Sequence, residues 1–94
     1  MYNDHVDREI DKEGNLMKSY SEVNNDVLAK FLDEHKDHKI SSISPNEISE
    51  HHYKVFIRSF LKDERFKEYS SMIEIKYDDN YNVIEYKELI HKEK

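Results

Sequence analysis

Residues 44–69 read SPNEISEHHYKVFIRSFLKDERFKEY, and whether this run winds into a helix decides the fold. It opens on Ser44-Pro45-Asn46-Glu47, a capping box with proline at the first helical position, and Ile43 is placed to staple onto Ile48 across it. Helical spacing then sets Ile48, Val55, Phe56, Ile57, Phe60, Leu61 and Phe66 on a broad apolar arc. An arc that wide calls for burial on more than one side. The run is therefore expected to form a long second helix at the centre of the molecule.

Upstream, Val27, Leu28, Phe31 and Leu32 recur at helical spacing behind Asn24 or Asn25 as N-cap, which predicts a first helix that frays near residues 35–39. Before it, residues 6–10 alternate apolar and polar, meet Asp11-Lys12-Glu13-Gly14-Asn15, and resume as residues 16–20. The glycine stands where a type I turn needs a left-handed residue, so a hairpin is expected there. Downstream, Ile73-Glu74-Ile75-Lys76-Tyr77 alternates strictly, turns through residues 78–82 and returns as Val83-Ile84-Glu85-Tyr86-Lys87, a second hairpin. The expected architecture is thus α+β in the order ββααββ, with an antiparallel sheet made from two hairpins packed on two helices. Residues 1–94 are read as a single small domain.

Composition limits what such a domain can do. Leu, Ile, Val and Phe supply 23 of the 94 residues, only slightly more than a disordered chain has, so the core is thin. The seven tyrosines must add buried area, and a partner interface or a homodimer would add more. With no cysteine there is no disulfide framework and no thiolate chemistry. No apolar run reaches bilayer length and the first residues lack the pattern of a signal peptide, so a cytoplasmic protein without a membrane anchor is expected. The single Ala, Gly and Pro beside abundant Lys, Ile, Asn and Tyr reflect AT-rich coding, as in a low-GC bacterium, its bacteriophages or other mobile elements.

Charge is the chief functional signal. The formal net charge is −6, and the whole excess lies before His51, where twelve acids face six Lys and Arg. Asp7, Glu9, Glu13, Asp33, Glu34 and Asp37 are candidate partner-binding residues, set to imitate phosphates and occupy a basic groove on a protein. In the second half, Lys54, Arg58, Lys62 and Arg65, if helical, fall within an arc of roughly 80° and offer an alternative surface for nucleic acid. The net charge weighs against direct nucleic-acid binding.

No motif names a reaction. Six histidines include His35 and His38 in H-x-x-H spacing and the adjacent pair His51-His52, but spacing alone does not converge three or four ligands, so no metal site or cofactor is expected. Glu74-x-Lys76 and Glu85-x-Lys87 distantly match the carboxylate–lysine strands of restriction-type nucleases. The match is very weak, and alternating Glu and Lys are expected from cross-strand pairing on the wet face of any hairpin in so charged a chain. The expectation is a small acidic, non-enzymatic binding protein, an inhibitor or anti-defence regulator of phage or mobile-element type acting by nucleic-acid mimicry. The alternative is a nucleic-acid-associated regulator.

Overall fold

The computed structural model describes residues 19–64 and 66–94. They form one helix, α1 (Tyr20–Glu34), followed by four strands, β1 (His38–Ser49), β2 (His52–Leu61), β3 (Glu68–Tyr77) and β4 (Val83–Glu93). The strands pair in sequence order as one antiparallel sheet, β1-β2-β3-β4. This replaces the expected ββααββ order, and the long central second helix does not exist. The expected first hairpin lies outside the described residues, apart from Ser19 and Tyr20, which cap and open α1.

Residues 52–61 are a strand because their true period is two. Tyr53, Val55, Ile57 and Ser59 are buried, while Lys54, Phe56, Arg58 and Phe60 face the other side. The helical arc had merged these two faces into one, and the dense β-branched and aromatic side chains suit a pleated surface better than a helix. The supposed capping box is part of β1, with Pro45 opposite Val55. Because β1 is an edge strand, a residue without an N–H is tolerated in it.

A real capping box stands 25 residues earlier in the chain. The Ser19 hydroxyl accepts from the Glu22 N–H at 3.3 Å, and the Glu22 carboxylate accepts from the Ser19 N–H at 3.1 Å. The cap is therefore Ser19, not Asn24 or Asn25. Its loss in Ser19→Ala is expected to cost about 1 kcal/mol, whereas Ser44→Ala, at an exposed strand position, should stay within about 0.5 kcal/mol of the parent. Paired denaturant melts check both.

Val23, Val27 and Phe31 form a stripe one turn apart along α1, each 0% exposed. They pack on Tyr53, Val55, Ile57, Ile73, Ile75, Tyr77 and Tyr81, with Ile40, Ile43, Val83 and Tyr86 around the margin. The Tyr77 hydroxyl donates to the Asp26 carboxylate at 2.8 Å and ties the helix to β3. Burial, and then this hydrogen bond, push the Tyr77 phenol above its ordinary range.

The second hairpin forms where the alternation placed it, with Asp78 Oδ1 accepting from the N–H groups of Asn80 and Asn82 at 2.9 Å each. Tyr81 takes a positive φ of 62° in this turn, and His51 one of 67° in the turn between β1 and β2. A narrow helix stripe covers one side of the sheet. Among the described residues, nothing covers the other.

Candidate functional site

The register builds the uncovered side row by row, since residues directly opposite in an antiparallel pair share a face. Ser44, Phe56, Met72 and Ile90 stand in line across all four strands. Beside them run Ser42, Arg58, Ser70 and Lys92, and on the other flank Asn46, Lys54, Glu74 and Lys87. Phe56 is 44% exposed and Ile90 41%. The result is an apolar row between two polar rows that carry cations.

Pairing removes some of these charges and leaves others. His52 Nε2 meets Glu74 at 2.7 Å, and Glu85 is shared by Lys76 at 3.6 Å and Lys87 at 2.9 Å. The hydrogen bond from Lys87 is the main reason the Glu85 carboxyl is held below its usual range. Cross-strand neutralisation of this kind is the ordinary use of Glu-x-Lys on a wet face, and among the described residues Glu74 and Glu85 join no group placed to hold a metal ion. Lys54, Arg58 and Lys92 form no ion pair among the described residues.

The basic stripe read from the sequence is corrected accordingly. Lys54 and Arg58 do share a face, because a separation of four residues also fits a strand, but the face belongs to a sheet and carries Phe56 between them. Lys62 lies exposed in the turn after β2, with its N–H donating to the Asp37 carbonyl at 2.9 Å. Arg65 is outside the described residues. Of the acidic candidates, Asp33 and Glu34 are exposed in the last turn of α1, a turn with no basic residue, and Asp37 is exposed in the turn before β1. Asp33, Glu34 and Glu85 join Lys30, Val83, Ile84 and Tyr86 in lining a groove of about 430 Å³ between α1 and β4. Asp7, Glu9 and Glu13 lie outside the described residues.

On the helix side, one end of the sheet gathers three imidazoles. His35 is the C-cap of α1, His38 begins β1, and His91 lies in β4 opposite Ser71. Each offers one nitrogen within 4.8 Å of the others. The Glu88 carboxylate sits 2.9 Å from His35 Nε2 and 3.5 Å from His91 Nδ1.

Chain geometry explains the convergence. A register shift between Met72 and Ile73 sets Glu88 opposite Ile73 and Ile90 opposite Met72, leaving Leu89 as an extra residue in β4. Residues three apart in a regular strand face opposite ways, and the bulge turns Glu88 and His91 to the same side. His38 Nδ1 is 2.9 Å from the Ser59 hydroxyl and His91 Nδ1 2.7 Å from that of Ser71. Burial, foremost among the causes, holds His38 and His91 below the usual imidazole range, which favours the neutral rings. Tyr69 stacks on His91 with centroids 5.0 Å apart, and Phe31 lies 4.6 Å from His35.

Sequence spacing joined His35 to His38 and left out His91, whose approach depends on the bulge. The two Ser–His contacts are poorly suited to acyl transfer, because Ser59 is 0% exposed and Ser71 4%, and neither hydroxyl has room for a substrate carbonyl. Among the described residues, no helix is long and apolar enough to cross a membrane. No protein-family model, curated protein or solved structure matches the chain.

Proposed function

We propose that this protein is a non-enzymatic binding module that holds single-stranded nucleic acid on the open face of its sheet. The observation that carries the proposal is the Phe56–Met72–Ile90 row, with Phe56 and Ile90 exposed, flanked by Lys54, Arg58 and Lys92, which form no ion pair among the described residues. An aromatic side chain offers any base a stacking surface, and flanking cations follow the backbone without reading sequence. Exposed apolar side chains in a contiguous row mark contact surfaces on soluble proteins.

The overall charge of −6 is not distributed evenly over the molecule. Asp26, Asp33 and Glu34 belong to the helix, on the far side of the sheet from Phe56 and Arg58. A local field governs encounter more than the total charge does when opposite signs occupy opposite sides.

Fluorescence anisotropy with a labelled single-stranded oligonucleotide of mixed sequence tests the reading. Binding at low salt is expected, with log affinity falling by about 0.7 per neutralised phosphate for each unit of log salt, or roughly 2 for three cations. Absence of binding at tens of micromolar protein would refute it.

A second reading has an observation of its own. Carboxylates in the last turn of a helix oppose its macrodipole, yet Asp33 and Glu34 stand there and line the groove beside β4. Such a groove suits a basic segment of a protein partner, in keeping with an inhibitor or regulator of phage type. Reversing Asp33, Glu34 and Asp37 together would then slow association with that partner, because rim charges act by steering.

A further inference from the structure

We propose that His35, His38, His91 and Glu88 form a site for a divalent transition-metal ion of the zinc class, pinning the end of α1 to β1 and β4. The juxtaposition is specific in chemistry as well as in distance. Three imidazoles and one carboxylate are a ligand set that zinc, cobalt and nickel accept, and calcium and magnesium do not favour.

Ligand nitrogens around a tetrahedral ion with bonds of 2.0–2.1 Å stand about 3.3 Å apart. The three histidine nitrogens here all lie within 4.8 Å of one another, so side-chain shifts on the order of 1 Å close the set. Two of the rings are already oriented from behind. In the tautomer whose Nδ1–H donates to the buried serine hydroxyl, His38 and His91 each keep Nε2 as the nitrogen that can bind a metal. A neutral ring held in one tautomer by an outer partner is the usual support of a metal-binding histidine.

The remaining partners complete an asymmetric site. Glu88 sits 2.9 Å from His35 Nε2 and 3.5 Å from His91 Nδ1, the nitrogen that also meets Ser71, and a turn of its side chain brings a charged ligand to the site. Glu34 groups with His35 and Glu88 at the same mouth. Phe31 and Tyr69 wall the opposite side. Aromatic stacking alone would explain parallel rings, but it does not call for a carboxylate turned inward by a strand bulge. A metal bond across three elements would add stability that a thin core lacks.

The test is titration of the full chain with Co(II), followed by visible absorption, and with Zn(II), followed by calorimetry. One ion per chain is expected, with the d–d absorption of a four- or five-coordinate cobalt site and a thermal midpoint that rises with metal. His35→Gln and Glu88→Gln change partly exposed side chains, so they should fold as the parent does and lose at least tenfold in affinity. Ser71→Ala, which touches only the outer support of His91, should weaken binding by a smaller factor. His52→Gln, on the other face of the sheet, should bind as the parent does. Absence of saturable binding at tens of micromolar metal would overturn the site, as would unchanged affinity in folded His35→Gln or loss of binding in His52→Gln.

Discussion

Phe31→Ala is expected to lower the stability of the fold by about 3–5 kcal/mol. Phe31 is fully buried at the last turn of the helix stripe and lies against His35, His38 and His91 as well as the sheet. Besides Phe31, α1 buries only the smaller Val23 and Val27, so the ring carries much of the contact between helix and sheet. Domains of this size hold roughly 5–15 kcal/mol in total, so the variant should melt near or below ordinary working temperatures. Phe56→Ala is the control. Its ring is 44% exposed on the open face, and its removal should cost less than ~1 kcal/mol. Denaturant melts giving equal losses for the two phenylalanines would contradict the assignment of inner and outer faces.

The same Phe56→Ala exchange is expected to have its large effect on binding. Loss of one stacked base from an aromatic ring removes about 1–3 kcal/mol of affinity, and the folded variant should bind the oligonucleotide correspondingly more weakly. Arg58→Gln with Lys92→Gln should act differently, weakening binding to all sequences alike and flattening the salt dependence by about 1.4 units for two lost phosphate contacts. The two variants separate stacking from charge. A salt slope unchanged in the double variant would remove these cations from the interface.

Much of this depends on residues 52–61, whose two possible periods lead to different proteins. Seven apolar residues over residues 48–66 fit a helical arc, yet the buried set Tyr53, Val55, Ile57 and Ser59 keeps period two. The serine conceals it, since a hydroxyl at an inward position reads as polar until His38 is found beside it. Ser44-Pro45-Asn46-Glu47 misled in a second way. A four-residue match occurs readily in a chain 38% charged, and the working copy, Ser19-x-x-Glu22, stood at a position assigned to a strand.

What depended on short range was legible. The hairpin of β3 and β4 followed from strict alternation around Asp78, and Val27 and Phe31 followed from helical spacing. Lys54 and Arg58 remained on one face because an interval of four residues is compatible with both periods. The histidine cluster was not legible. It needs His91, 56 positions beyond His35, and a bulge that no turn residue announces.

Backbone amide NMR of the labelled full chain, titrated with a single-stranded oligonucleotide at low salt, tests the central claim most directly. The open-face account predicts shifts concentrated at Lys54, Phe56, Arg58, Met72, Ile90 and Lys92, with the amides around Asp33, Glu34 and Asp37 unmoved. Shifts confined to the helix end and the groove beside β4, or no shifts at all at saturating oligonucleotide, would contradict it.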